Sequence, residues 1–296
     1  MSEKAQSASP TVAIAFGGGG ARGLAHVHVL EALDDLGLKA AAVTGTSIGS
    51  IVGAGYCAGL SGAEVREIVL DAFRRPGDVW AKMWQLRPKR IADLLGGGLV
   101  QFDPETVLGM FLPPDLPATF ADLEIPLAVV AADFYRCTEV EIASGPLRPA
   151  IAASIALPIV FKPVEIGGIA MIDGGVVNPL PFDKLPADMD LVVAVDVVGG
   201  PVRPSARSYP NARESIFGAS QILMQTVIAE KLKSRTPDVL VRPPVDIFGV
   251  LDFLKANAIL KSTAPVRDEV KRKIEAALEH RQLPMLPETG AVTVAP

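Results

Sequence analysis

The stretch VAIAFGGGGARGLAHVHVLEALDDLG, residues 12–37, decides the fold class. Five consecutive apolar residues, VAIAF, predict a buried β-strand, and the four glycines after it end that strand. Apolar residues then recur at helical spacing over residues 23–36, and Gly37 stands where a helix C-terminal cap belongs. The stretch therefore predicts a strand, a glycine-rich loop and a helix in direct succession.

The next stretch repeats this order of elements. AAAV, residues 40–43, predicts a second strand, and residues 48–58 predict a helix of small residues after the turn TGTSIGS. Strand, helix, strand and helix in short order imply parallel strands joined by right-handed crossovers. The sequence therefore predicts an α/β protein with a parallel sheet.

The rest of the chain adds strands and helices of the same kind. PLAVVAADF, EVEIAS and DLVVAVDVV predict strands, PDVLVRPPV predicts an edge strand, and FKPVEIGGIAMIDGG predicts a hairpin with two glycines at its tip. LRPAIAAS predicts a helix, as do residues 211–235, a long amphipathic one, and residues 264–280. Residues 61–118 are expected to be mostly helical and irregular.

No internal repeat or linker divides the chain, so one α/β domain is the simplest expectation. We predict a polar tail over residues 1–10, a single domain over residues 11–283 and a second tail over residues 284–296. Within the domain, the motifs lie in residues 12–200, and residues 201–283 form a C-terminal extension of helices and strand.

The composition of the chain argues against several classes of protein. The net charge is −5, whereas a nucleic-acid binder depends on clustered Lys and Arg. Cys57 and Cys137 are the two cysteines, with no C-x-x-C pair and no histidine close in sequence. Neither a disulfide framework nor a Cys/His zinc site is therefore expected, and a reducing compartment fits. We predict no nucleic-acid partner and no metal.

The sequence also lacks the signals of secretion and of membrane insertion. MSEKAQSASP has no basic start followed by a long apolar run, so it does not resemble a signal peptide. No stretch approaches the roughly 18 apolar residues of a spanning helix. We therefore predict a cytoplasmic protein, with peripheral contact to a membrane left open.

The turn GTSIG places Ser47 between two glycines where a strand turns into a helix. Gly45 and Gly49 lack the Cβ atoms that would crowd such a bend, and this arrangement holds a serine hydroxyl in the open, as a nucleophile requires. An ordinary tight turn also uses small residues. The choice depends on whether the chain supplies a base and an oxyanion site.

The loop GGGGARG, residues 17–23, can be interpreted in three ways. Gly18, Gly20 and Gly23 fit the dinucleotide fingerprint, but no acidic residue follows at the end of the second strand, where the ribose ligand belongs. A phosphate-binding Walker loop needs Gly-Lys-Ser/Thr, which is absent. The third interpretation is an oxyanion hole, because consecutive glycines at a helix N-terminus present backbone N–H groups to negative charge.

A serine nucleophile needs a base, and the sequence offers His280 and Asp173 for that role. His26 and His28 lie in the first predicted helix, where packing roles are favoured. His280 ends the last helix and would complete a Ser–Asp–His order. Asp173 ends the predicted strand IAMI and is followed by two glycines that allow close approach of another backbone. A buried Asp touching the serine would suffice as a base.

Taken together, these residues resemble the patatin-like phospholipase family over residues 12–181. GGGARGLAHVHVL resembles its glycine-rich oxyanion motif, GTSIG its nucleophile elbow and DGG its Asp-Gly-Gly/Ala motif. The segments TFADLEIPLAVVAADF and AIAASIALPIVFKPVEIGGIAMIDGGVVNPLPF agree with the family's central and dyad-bearing segments. PDVLVRPPV and FGVLDFLKANAIL are similar to the bacterial branch related to neuropathy target esterase.

The resemblance implies a three-layer α/β/α sandwich that hydrolyses acyl esters of lipids with a Ser–Asp dyad and without metal or cofactor. It assigns Ser47 as the nucleophile, Asp173 as the base and the amides of three glycines as oxyanion donors. The donors are Gly18, Gly19 and Gly20, and the motif-supporting residues are Arg22, Gly23, Gly45, Gly49, Gly174 and Gly175.

Two residues of the glycine-rich motif carry further expectations. Arg22 is interpreted as structural, holding the loop through an ion pair. His28 stands where the family usually carries Gly, so its larger side chain is expected to alter the packing of the helix on the sheet.

The segment RRPGDVWAKMWQLRPKR, residues 74–90, suggests a contact with lipid. Trp80, Met83 and Trp84 fall on one face of a predicted helix that also carries basic residues, as on an interfacial helix at an anionic membrane. A helix that covers the crevice and has a solvated basic face would look the same.

Two other functions remain open from the sequence. One is acyl transfer, although Thr46 stands where the similar serine elbow of malonyl-transferases has His. The other is a non-catalytic lipid-binding or scaffold protein on the same fold. The substrate predicted is a lipid or another acyl ester.

Overall fold

The computed structural model describes residues 10–73, 101–109, 112–113, 115–202 and 209–282, the side chains of Arg213 and Gln282 excepted. The strands of this part of the chain form one sheet. They are β1 (Val12–Phe16), β2 (Ala40–Thr46), β3 (Leu127–Asp133), β4 (Thr138–Ile142), β5 (Val164–Ile166), β6 (Ile169–Asp173), β7 (Leu191–Val195) and β8 (Val239–Val241).

The centre of the sheet is parallel and one end is antiparallel. The strands follow the order β5-β6-β3-β2-β1-β7-β8, and β4 pairs with β3 beside this path. Strands β3, β2, β1, β7 and β8 are parallel neighbours, whereas β4, β5 and β6 run antiparallel to their partners. The predicted α/β class and mainly parallel sheet are confirmed, and β8 is the edge strand that its prolines predicted.

Helices connect the strands and flank the sheet. Gly37 ends the first helix with φ 63°, the left-handed cap that the sequence predicted. A short 3-10 segment, Gly20–Ala25, precedes that helix. The helices are α1 (His26–Leu36), α2 (Ile48–Cys57), α3 (Gly62–Phe73), α4 (Pro104–Leu108), α5 (Leu147–Ser154), α6 (Ala212–Ser234), α7 (Ala256–Thr263) and α8 (Val266–Gln282).

Both faces of the sheet are covered, which confirms the three layers. On β1, Val12, Ile14 and Phe16 belong to a core that also contains buried side chains of α1, α2 and α8. Ala13 and Ala15, which point to the opposite face, belong to a second core with α6. Such a strand reads as a continuous apolar run because neither face meets water.

The register of β3 brings the ends of β2 and β6 together. Val130 pairs with Thr46 at the end of β2, and Ala131 pairs with Asp173 at the end of β6. Since β4 pairs along the other side of the same residues, β6 continues the line of β2 from the opposite direction. The chain therefore leaves the two strands at Ser47 and Asp173, which meet beside β3.

The C-terminal helices dock on α1. Arg267 of α8 binds Asp35 at 2.6 Å between Nη2 and Oδ1, and Val270 and Ile274 are buried in the core that contains α1. The Nε2 atom of His28 lies 2.9 Å from the carbonyl oxygen of Leu260 in α7. The hydrogen bonds of His28 thus involve the C-terminal extension, whereas the sequence had predicted an effect on helix–sheet packing.

Two points about the elements are corrected, and two expectations stay untested. Helix α6 is not amphipathic, because Ile216, Ile222 and Leu223 are exposed on it while Ile228 is buried. Helix α7 was not predicted. Trp80, Met83 and Trp84 lie outside the described residues. The division of the chain into domains also stays a prediction.

Candidate active site

Ser47 occupies a strained turn between β2 and α2. Its φ of 54° and ψ of −126° are rare for a residue with a side chain, and such a conformation costs about 1–3 kcal/mol. The flanking glycines make the turn sterically feasible. A Cβ on Gly45 would lie 2.6 Å from the carbonyl oxygen of Gly49, and a Cβ on Gly49 would overlap the carbonyl of Phe16.

Ser47 and Asp173 are in direct contact. The Oγ atom of Ser47 donates to Oδ2 of Asp173 at 2.6 Å, a length typical of a hydroxyl bound to a carboxylate. The other oxygen of Asp173, Oδ1, accepts the N–H of Gly175 at 2.7 Å. Both carboxyl oxygens are therefore held in place, one by the serine and one by the backbone.

Burial raises the pKa of Asp173 to about 6, although the hydrogen bonds from Ser47 and Gly175 act in the opposite direction. The side chain is almost wholly removed from water, at 4% exposure. With a pKa near 6 the carboxyl group is ionised at pH 7 yet far more basic than a free Asp. It can therefore take up a proton from the hydroxyl that it touches.

Two residues that sequence reasoning missed support the pair. The hydroxyl of Ser154 accepts the N–H of Ser47 at 2.9 Å. The backbone carbonyl oxygen of Asn178 accepts a hydrogen bond from the Oγ1 hydroxyl of Thr46 at 2.8 Å. This bond connects the segment after Asp173 to the residue before Ser47. A lone serine in the apolar helix AIAAS was the available signal for Ser154.

The glycine loop runs beside Ser47 and is anchored by its own amides. A Cβ on Gly18 would lie 3.2 Å from the Cβ of Ser47. The N–H of Gly18 donates to the carbonyl oxygen of Pro179 at 2.9 Å, so it is already engaged in this structure, and its predicted role as an oxyanion donor is not carried into the proposal below. In the described part of the chain, no acceptor takes the N–H of Gly19 or Gly20. These two remain the proposed donors.

Arg22 holds the loop through hydrogen bonds to carbonyls. Its Nε donates to Phe248 at 2.7 Å and its Nη1 to Val198 at 2.5 Å. Burial lowers the pKa of the guanidinium, and the charges of Asp246 and Asp252 act against that shift. The structural role predicted for Arg22 fits these contacts to carbonyl oxygens, and the ion pair expected for it stays a prediction.

The histidines take no part in the Ser47–Asp173 contact. His26 is fully buried with Nε2 2.9 Å from the carbonyl oxygen of Gly17, and burial lowers its pKa to about 4. His28 binds Leu260 and Glu31. His280 is exposed in the last turn of α8. The contact of Ser47 with Asp173 is direct, with no imidazole between the two side chains.

The described residues contain no group of three or more His, Cys, Asp or Glu side chains that could hold a metal ion. Within the same residues, no helix is both long enough and apolar enough to cross a bilayer.

The fold and site define an α/β protein with a serine elbow at the carboxyl edge of a parallel sheet. The family model described as patatin-like phospholipase matches residues 14–186. The chain belongs to this family.

The curated relatives are mostly longer than this chain. An uncharacterized NTE family protein of Mycobacterium bovis is 35% identical over 209 residues, which cover 69% of this chain and 54% of the relative. Lysophospholipase NTE1 of Candida glabrata is 26% identical, with 95% of this chain and 17% of the relative covered. The chain thus spans about half the length of the first relatives, or less.

Among solved structures, VipD from Legionella pneumophila is similar, with a TM-score of 0.48 and 12% identity. The match covers 90% of this chain and 67% of that chain.

Proposed function

We propose that the protein is a serine acyl hydrolase that cleaves carboxylic ester bonds of phospholipids or lysophospholipids. The observation that carries this proposal is the hydrogen bond of 2.6 Å between Ser47 Oγ and Asp173 Oδ2 at the end of two facing strands. A serine in an elbow needs a base within hydrogen-bond reach, and Asp173 meets that condition without a third residue.

In the first half of the reaction, Asp173 removes the proton from Ser47 as Oγ bonds to the ester carbonyl carbon. The carbonyl oxygen becomes an oxyanion, which the N–H groups of Gly19 and Gly20 stabilise. The ester C–O bond then breaks, and the leaving alcohol takes its proton from Asp173. The product of this half-reaction is an acyl group on Ser47.

In the second half, water replaces the alcohol. Asp173 accepts a proton from the water as the water oxygen attacks the acyl carbon. The N–H groups of the glycine loop again stabilise the oxyanion of the intermediate. Collapse of this intermediate breaks the bond to Ser47 Oγ, which recovers its proton from Asp173. The fatty acid leaves and the dyad returns to its first state.

A lipid substrate is supported by the family and by the surface around the site. The relative from Candida glabrata is named a lysophospholipase. Half of the large hydrophobic side chains that the described residues expose lie in the segments that directly follow β3, β7 and β8, whose carboxyl ends share an edge of the sheet with Ser47. These side chains, called the apolar rim, are Phe134, Tyr135, Val202, Ile247, Leu251 and Leu254.

We further propose that the apolar rim contacts the surface of the lipid aggregate, because large apolar side chains exposed on the site's edge of the sheet would be buried by lipid there. Sedimentation with phosphatidylcholine vesicles tests this contact. Replacing Tyr135 and Ile247, which are 82% and 72% exposed, by Ser should lower the bound fraction while the circular dichroism spectrum is unchanged; equal binding would remove the rim from the proposal. The cytoplasmic location stays a prediction from the sequence.

Hydrolysis of a lysophospholipid by purified protein tests the proposed reaction. The wild-type chain should release fatty acid, and Ser47→Ala should reduce the rate at least 1,000-fold, as loss of a nucleophile does in other serine hydrolases. Thr44→Val is a matched control, since Thr44 is buried three residues before Ser47 and its hydroxyl donates to the carbonyl oxygen of Pro181. Turnover by Ser47→Ala at the wild-type rate would refute the mechanism, and an inactive wild type would favour a non-catalytic lipid-binding protein.

A further inference from the structure

The end of helix α5 contacts the backbone of both proposed catalytic residues. The hydroxyl of Ser154, the last residue of α5, accepts the N–H of Ser47 at 2.9 Å. Two residues later, the carbonyl oxygen of Ala156 accepts the N–H of Asp173 at 3.1 Å. One turn of chain therefore fixes Ser47 and Asp173 relative to each other.

The hydroxyl of Ser154 is fully committed to the protein. It donates its single proton to the carbonyl oxygen of Val130 at 2.7 Å, so its oxygen meets the N–H of Ser47 as an acceptor. Ser154 has no exposed surface. Because Val130 is the β3 residue that pairs with Thr46, the hydroxyl bridges the elbow to the strand beside it.

The conformation of Ser47 makes this bridge important. The φ of 54° is unfavourable for serine, and a turn of this kind persists only where its surroundings hold it. The direction of the Cα–Cβ bond follows the backbone dihedrals, so relaxation of the elbow would swing Oγ away from Asp173. The bond to Ser154 opposes that relaxation directly at the N–H of Ser47.

We propose that Ser154 is a positioning residue that holds the Ser47 backbone so that Oγ stays in contact with Asp173. This inference rests on the proposed function. Ser154 does not touch the reacting atoms, and its proton does not take part in the reaction. Its contribution is the alignment of the nucleophile.

The test compares Ser154→Ala with wild type in ester hydrolysis. Misplacement of a reacting atom by about 1 Å can cost about 100-fold in rate, so kcat should fall 10-fold to 100-fold while KM changes less than 3-fold. The acid limb of the pH–rate profile should move to higher pH, because the hydrogen bond from Ser47 is one of the contacts that lower the pKa of Asp173. A merely structural loss would leave this limb in place.

Thr263→Val provides the matched control. Thr263 is also fully buried and donates its hydroxyl to a backbone carbonyl, that of Ile259, but it lies in α7 and does not contact Ser47. Both variants lose one buried hydroxyl, and only Ser154→Ala should change kcat. If Ser154→Ala does not fold, Ser154→Cys retains the side-chain shape with a weaker acceptor and should show the same effects in smaller measure.

Hydrogen exchange at the amide of Ser47 gives a readout that does not need activity. Exchange should be at least 10-fold faster in Ser154→Ala than in wild type or Thr263→Val. Unchanged exchange, or unchanged kcat and acid limb in an active enzyme, would overturn the positioning role. If the wild type hydrolyses no ester, the proposed function fails, and the exchange rates still decide whether Ser154 holds the elbow.

Discussion

The raised pKa of Asp173 makes its carboxylate a stronger base and lowers the stability of the folded protein. The folded protein holds its pKa at about 6, mainly through burial, whereas a free Asp has a pKa near 3.9. Between these two values the folded state binds more protons than the unfolded state. The free energy of unfolding therefore falls as the pH rises through this window.

We predict that Asp173→Asn stabilises the protein at pH 8. The amide keeps the shape of the side chain without a buried charge, and two pKa units correspond to at most about 3 kcal/mol. Urea unfolding at pH 8 and at pH 4 measures the effect. The gain should appear at pH 8 and shrink to a small fraction at pH 4, where the wild-type carboxyl is protonated in the folded state and about half protonated in the unfolded state.

Asp183→Asn is the control with the opposite sign. Burial alone would raise the pKa of Asp183, but hydrogen bonds from Lys231 and Asn178 leave the pKa lowered overall. Its carboxylate is thus stabilised by folding, and the variant should be less stable than wild type at pH 8. A loss of stability in Asp173→Asn at pH 8 would contradict the assignment of a raised pKa.

At the scale of residues, the sequence predicted that Ser47 and Asp173 act together, but it did not predict the residue that holds Ser47 in place. Ser47 and Asp173 could be found because each stands at the end of an apolar run and beside glycines. Ser154 could not be assigned a role, since its contact with Ser47 joins residues 107 positions apart. The engagement of the Gly18 amide likewise depends on Pro179, which no local pattern connects to the loop.

At the scale of elements, helix α2 must approach β1 closely for the elbow to form. Gly49, in its first turn, leaves no room for a Cβ against the carbonyls of Phe16 and Gly17. Gly49→Ala should force the helix away from the strand and reduce the free energy of unfolding by about 1–3 kcal/mol or more. Thermal unfolding followed by circular dichroism measures this loss.

Gly55→Ala tests the same helix without a clash. A Cβ there would lie 3.5 Å from Leu60 Cδ1 and 3.8 Å from Val65 Cγ2, which is ordinary contact. The substitution should stabilise the protein by about 0.5–1 kcal/mol, because Ala restricts the unfolded chain more than Gly. Equal effects of the two substitutions would show that close approach of α2 to β1 is not the reason for Gly49.

Element prediction succeeded where periodicity and burial agree. Strand β1 and helix α5 occupy the residues that the pattern indicated, because both consist of unbroken apolar or helical spacing. Helix α6 was placed correctly but described wrongly as amphipathic, since its exposed Ile216 and Leu223 lie on a face that no described core covers. Periodicity does not tell which apolar face the protein buries.

At the scale of the whole molecule, the C-terminal extension shares a core with the motif-bearing part. Ile274 of α8 is fully buried with α1. Ile274→Ala should cost about 2–5 kcal/mol of unfolding free energy through lost burial and the cavity that remains. Glu275→Ala is the control, because Glu275 is exposed on the same helix turn and should change stability by about 0.5 kcal/mol or less.

The Ile274 experiment also tests the domain prediction. In a single domain the variant should lower the midpoint temperature of one cooperative unfolding transition, and the elbow should unfold in that same transition. Two separate transitions, with only one affected, would contradict one domain. The sequence could not predict this docking in detail, because pairs such as Asp35 with Arg267 lie 232 positions apart.

The most direct test of the Ser47–Asp173 dyad is covalent labelling by a soluble fluorophosphonate, followed by intact-protein mass spectrometry and peptide mapping. Wild type and His280→Gln should each gain one probe at Ser47 at the same rate, with the rate falling below about pH 6 as Asp173 is protonated. Asp173→Asn should react at least 1,000-fold more slowly at every pH. Labelling of Asp173→Asn at the wild-type rate, or its loss in His280→Gln, would contradict the dyad.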